Sequence, residues 1–172
     1  MNKIGEPTLN PRLPEMIKLA RDSERIEWID FATNGSRFNS DNLERFVRSG
    51  VNRINISLEG LNTEAYLKNA KIKLDFDLFV QNLRELYFER EKMRNSLKIV
   101  PEILVKIPQQ LLESADQERE FKSLFNPIAD IIFVENLVVA KEFLRSLARP
   151  VKILRGPFHK GALKGFRLRQ TN

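Results

Sequence analysis

VNRINISLEG, residues 51–60, decides how the rest of the sequence reads. Ile54, Ile56 and Leu58 alternate with polar neighbours, the period of a strand with one buried face, and Gly60 closes it. Working upstream, residues 41–49 read as a short helix: Asp41 and Glu44 have capping-box spacing, Leu43, Phe46 and Val47 share a face, and Gly50 stops it. Before that, IEWIDFA (26–32) reads as another strand, ended by the turn at Asn34-Gly35. Leu13, Met16, Ile17 and Ala20 then recur at helical spacing behind Pro11 and Pro14. Downstream, residues 62–69 read as a short helix with an Asn or Thr cap. From Asp75, Phe76, Phe79, Val80, Leu83, Leu86 and Tyr87 hold helical spacing, with Glu and Arg on the other side. KIVPEILVKIP supplies a third strand; Pro101 places its body at 103–107 or makes the strand begin irregularly. A helix over 116–125 turns Phe121, Leu124 and Phe125 inward and ends at Pro127. DIIFV, 130–134, is a fourth strand.

Strands alternating with helices of this length give right-handed βαβ units and a parallel sheet, whose ligand site lies at the carboxyl ends of the strands. Those ends are IGEP, ATNG, ISLEG, VKIPQ and FVENL. Gly5-Glu6-Pro7 offers an anionic acceptor between a residue without Cβ and one with fixed φ. Thr33-Asn34-Gly35, and Ser57 with Glu59, offer hydroxyl, amide and carboxylate groups beside glycines. Lys106 is a cation in an otherwise apolar strand. Singly these have plain alternatives: Asn-Gly as a turn, Ser57 as a backbone partner, Lys106 reaching out to solvent. Together they suit a small zwitterionic ligand bearing hydroxyls.

The 172 residues are 42 % hydrophobic and 30 % charged, as in a folded globular chain. There is no cysteine, which excludes disulfides, thiolate metal ligands and a cysteine nucleophile. No stretch approaches the roughly 18 apolar residues of a membrane span, and the N-terminus has no apolar signal core, so a cytoplasmic location is expected. Charge is uneven. Residues 141–172 hold nine of the 29 Lys and Arg but, in Glu142, one of the 23 acids, and so carry +8; the preceding 140 residues carry −2. The chain therefore divides into a body, 1–137, and a basic tail, 138–172. Arg145, Arg149, Lys152, Arg155, Lys160, Lys164, Arg167 and Arg169, with Phe158 and Phe166 available for stacking on bases, would allow a nucleic-acid or anionic membrane-surface partner. A solvated end is the plainer reading of such a tail.

GEPTLNPRLPEMI (5–17), IDFATNGSRF (29–38), VNRINISLEGLNTEAY (51–66) and LDFDLFVQNLRELY (74–87), in this order and spacing, resemble the radical S-adenosylmethionine (SAM) superfamily, most closely its members with a SPASM-type extension. The resemblance implies an α/β fold, a partial (β/α) TIM-type barrel with parallel strands over 1–137. It implies SAM as cofactor. Gly5, Glu6 and Pro7, with Ile4 where a first glycine often stands, match the turn that binds the methionine amino group. Thr33, Asn34 and Gly35 match the family's Thr-Asn-Gly strand end. Ser57 and, less securely, Glu59 match positions near the ribose and carboxylate, Lys106 is the candidate contact from the next strand, and residues 130–135 would lie beside the adenine.

The family's defining CxxxCxxC motif, which holds a [4Fe–4S] cluster for reductive cleavage of SAM, is absent from these 172 residues. The resemblance places it, with the first strand and the cysteine loop, upstream of Met1. A barrel truncated at both ends, lacking also the family's C-terminal part, is therefore expected, without catalytic residues or metal ligands of its own, inactive alone, its substrate unknown, and with a missing N-terminal segment or partner chain. A cluster-free SAM- or nucleotide-binding module is the alternative, with nucleic-acid binding through the tail behind it.

Overall fold

The computed structural model describes residues 5–136. Its elements, in chain order, are α1 (Leu13–Asp22), β1 (Asp30–Thr33), α2 (Leu43–Val47), β2 (Arg53–Ser57), α3 (Thr63–Ala70), α4 (Phe76–Met93), β3 (Glu102–Pro108), α5 (Ala115–Phe125) and β4 (Ile131–Glu135). The four strands form one parallel sheet in the order β1-β2-β3-β4. Consecutive order with right-handed crossovers puts every connecting helix on the same face. This is an α/β half-barrel arrangement, compatible with part of a TIM-type barrel; the sheet is not closed.

The alternation read from the sequence selects that face. Ile54 and Ile56 of β2 and Ile103, Val105 and Ile107 of β3 are buried against Phe46 and Val47 of α2, Phe79, Leu83 and Leu86 of α4, and Phe121 and Phe125 of α5. The register aligns the opposite face in rows: Asp30, Arg53 and Glu102; then Ala32, Asn55, Leu104 and Ile131; then Ser57, Lys106 and Phe133. Two ion pairs cross this face, Arg53–Glu102 at the amino end of the strands and Lys106–Glu135 at the carboxyl end. Ile131 and Phe133 are exposed on it.

Several boundaries and roles differ from the sequence reading. The first strand spans Asp30–Thr33 rather than 26–32. Residues 26–29 are held instead by side chains: the Arg21 guanidinium donates to the carbonyls of Ile26 (2.9 Å) and Glu27 (3.1 Å), and the Ile29 amide donates to Asn52 Oδ1 (2.8 Å). Apolar composition marked this stretch as strand, yet Ile26 and Trp28 are exposed. The capping box of α2 does not form. Asn42 occupies the cap position without a capping bond, and its Oδ1 takes the Asn39 amide (3.2 Å). On α4, Arg90 lies on the buried side, 1 % exposed, while Phe88 faces out. The Asn62 cap forms as the sequence indicates, its Oδ1 accepting the Ala65 amide (2.8 Å); Asp75, where the sequence starts the next helix, also caps it, its Oδ1 accepting the Leu78 amide (3.1 Å).

Among the described residues no helix is long and apolar enough to cross a membrane. The basic tail, and whatever precedes Gly5, lie outside the described residues.

Candidate functional site

The carboxyl ends of β1, β2 and β3 bring together most of the residues that the sequence singled out, and hydrogen bonding divides them into two sets. The first set is occupied internally. Gly5, at φ +98°, leads into a one-turn 3-10 helix, Pro7–Leu9. The Glu6 carboxylate reaches across to β1. Its Oε1 accepts the Thr8 amide (2.9 Å) and the hydroxyls of Thr8 and Thr33 (2.5 Å each), and its Oε2 accepts the Asn34 amide (2.7 Å). Thr33 Oγ1 in turn accepts the Gly35 amide (3.0 Å), and Asn34 Oδ1 accepts the Ser36 amide (2.9 Å) in an Asx turn. Thr8 and Thr33 are buried, so each donor here needs its acceptor.

Glycine is required at the turn. Gly35 sits at φ +72°, and a Cβ there would lie 2.9 Å from the Phe79 ring. Gly60, after β2, is tighter still: a Cβ would fall 2.2 Å from Ala65 Cβ at the start of α3.

The second set has capacity to spare. The Ser57 hydroxyl, half-buried at the end of β2, has no hydrogen-bond partner among the described residues. The Glu59 carboxylate likewise accepts no hydrogen bond there, and partial burial raises its pKa above the usual carboxylate range. Below it stands Tyr66, fully buried against Phe76 and Phe79, whose hydroxyl also lacks a partner. Desolvation pushes that phenol well above its ordinary range, so it stays neutral. Lys106 stands beside Ser57 in the β2–β3 register. Rather than extending to solvent, its Nζ is 3.0 and 3.2 Å from the two oxygens of Glu135.

Thr8 and Glu135 are the participants that sequence reasoning missed. Thr8 could have been found from its position two residues after Glu6, the offset at which a carboxylate caps a short turn. Glu135 follows from strand alternation once β4 is aligned beside β3, a register that sequence alone leaves open.

Chemically, this edge can hold a cationic or zwitterionic ligand with hydroxyls. It cannot hold an iron–sulfur cluster. Such clusters take cysteine thiolates, and the 172 residues contain none. Among the described residues no cluster of three or more His, Asp or Glu is placed to hold a metal ion.

The model of the radical SAM superfamily matches residues 4–89, half of the chain. A GTP 3′,8-cyclase of Chlorobaculum tepidum is 24 % identical over 114 residues, covering 66 % of this chain and 31 % of that protein. A probable GTP 3′,8-cyclase of Methanocaldococcus jannaschii is 43 % identical over 68 residues, 39 % of this chain and 22 % of the relative. A 7,8-dihydro-6-hydroxymethylpterin dimethyltransferase from the same organism is 38 % identical over 64 residues, 37 % of this chain and 12 % of the relative. The chain thus spans about a third or less of the length of these relatives.

Proposed function

The chain belongs to the radical SAM superfamily, and from that premise we propose that its strand-end edge is one wall of a SAM site, incomplete without cysteines supplied from outside these 172 residues. The observation that carries this reading is the convergence of Gly5-Glu6-Pro7, Thr33-Asn34-Gly35, Ser57 and Glu59 at the carboxyl ends of neighbouring parallel strands, where an α/β sheet binds its ligand. Ser57 and Glu59 keep free polar groups for ribose or amino-acid contacts. Lys106 is held by Glu135 and can be drawn to an anionic group of a ligand.

In the superfamily the cluster supplies the electron that cleaves SAM. No residue of this chain can bind it, so the isolated chain binds SAM weakly and does not consume it. The relatives' names point to GTP and to a dihydropterin as substrates. These differ from each other.

Two measurements on the 172-residue chain test this. Titration with SAM to millimolar concentration, followed by amide resonances, is expected to shift signals of residues 5, 6, 33–35, 57 and 59; no movement at any of them removes the wall. Anaerobic incubation with iron, sulfide and a reductant is expected to leave the protein colourless, with no 5′-deoxyadenosine formed. A brown protein that releases it would overturn the claim of inactivity.

A further inference from the structure

A carboxylate in a ligand-binding turn invites assignment as the ligand's ion-pair partner. The geometry at Glu6 argues otherwise. Both of its oxygens are engaged by the protein itself, through four donors from Thr8, Thr33 and Asn34, and two of those residues are buried. To turn toward a ligand, the carboxylate would have to abandon two backbone amides and two hydroxyls. We infer that Glu6 is a positioning residue rather than a ligand contact: it locks the Gly5–Pro7 turn onto the carboxyl end of β1 and so fixes the shape of the edge.

The two elements it joins are 27 residues apart in sequence and linked only through α1 and an irregular segment. With its carboxylate committed, the group left to meet a ligand ammonium in this turn is the Gly5 carbonyl, to which no described backbone amide donates; the Glu6 carbonyl already accepts the Leu9 amide (3.2 Å). This last step rests on the SAM reading above. The clamp itself does not.

Native-state amide exchange on the full 172-residue chain tests the clamp without ligand. Among the described residues the amides of Thr8 and Asn34 have only Glu6 as acceptor, so both are expected to be protected in the wild type. In Glu6→Ala both are freed, and their exchange rises roughly 10- to 100-fold, as expected for loss of a hydrogen bond to a charged acceptor. Glu6→Gln separates the two. The side-chain carbonyl still serves Thr8 and Thr33, but the new NH2 faces the Asn34 amide, donor against donor. Asn34 alone is then expected to exchange faster. The Leu58 amide, which donates to the Lys106 carbonyl (2.8 Å), reports that the sheet is intact. Should Glu6→Ala also loosen Leu58, the Glu6→Gln variant decides.

Equal Asn34 exchange in wild type and Glu6→Gln would overturn the clamp. So would an Asn34 amide proton that moves upfield as SAM is added, because that would show the carboxylate leaving for the ligand. If SAM moves no resonance at all, the SAM wall falls while the ligand-free exchange still judges the clamp.

Discussion

Arg90 offers the sharpest test of how this fold is held together. It sits near the end of α4, 1 % exposed, and is the single charged side chain so deeply buried among the described residues. One terminal nitrogen donates to the Pro101 carbonyl (3.2 Å), just before β3, and to the Asp130 carboxylate, just before β4. The guanidinium also lies 4.5 Å over the Tyr87 ring. Asp130 returns the tie to the sheet: its Oδ2 accepts the Ile103 amide (2.7 Å). One ion pair therefore fixes the amino ends of two strands against one helix. Breaking a buried pair by removing one partner costs about 3–5 kcal/mol.

The two single substitutions are not equivalent. Arg90→Met fills most of the space and leaves Asp130, which is 29 % exposed and keeps both the Ile103 amide and water. The low end, about 3 kcal/mol, is expected. Asp130→Asn keeps an acceptor for Ile103 but strands the guanidinium. Glu91 stands 2.6 Å from it but is itself bonded by Arg94 (2.7 and 2.9 Å), so it is a poor replacement, and the upper end of the range is expected. With a urea dependence of roughly 1–3 kcal/mol/M, even 3 kcal/mol lowers the unfolding midpoint by about 1–3 M. The assay is urea unfolding of the chain followed by far-ultraviolet circular dichroism. The double variant should cost less than the sum of the singles by about 1–3 kcal/mol, because the second change removes a charge already unpaired. A wild-type midpoint for Arg90→Met, or strict additivity of the pair, would refute the reasoning.

Gly60→Ala places a methyl within 2.2 Å of Ala65 Cβ; a loss of about 1–3 kcal/mol is expected, read as a lower thermal midpoint. Asn62→Ala removes the α3 cap and should cost about 1 kcal/mol, checked by urea unfolding. Tyr66→Phe deletes a buried hydroxyl without a hydrogen-bond partner among the described residues and should leave stability at neutral pH equal or higher. The same variant tests the raised Tyr66 pKa. Above about pH 10 the unfolded tyrosine ionises while the folded one does not. The unfolded state then binds fewer protons, and stability falls as pH rises. Tyr66→Phe should flatten this alkaline decline, and an unchanged slope would rule out that origin. For Glu59 the pKa is likewise raised, so its contribution is present at low pH and lost as pH rises; Glu59→Gln should be the more stable form at pH 7, by thermal unfolding.

Much of the architecture was legible because it rests on local rules. The period-two pattern of residues 54–58 marked β2 and its buried face, and Asn62 and Asp75 marked helix starts, since a cap needs only its own first turn. The strand at 26–32 was misjudged for a complementary reason. Composition cannot show that Arg21, from α1, and Asn52, from the edge of β2, take up the backbone groups of 26–29 before β1 begins. By its charge Arg90 reads as solvent-facing, yet it shares the buried face of Leu83, Leu86 and Met93.

The candidate site divides in the same way. That polar groups gather at the strand ends follows from sequence order alone, given parallel strands and right-handed crossovers. Which of them remain available to a ligand does not. Glu6 and Lys106 look alike in the sequence, as charges in promising places, but Glu6 is consumed by Thr8, Thr33 and Asn34, and Lys106 by Glu135, while Ser57 and Glu59 stay open. The absence of a thiolate for iron is a property of composition and needed no structure. The reach of Glu6 to Thr33 and Asn34, and of Lys106 to Glu135, spans 27 to 29 residues, and only chain folding sets those distances.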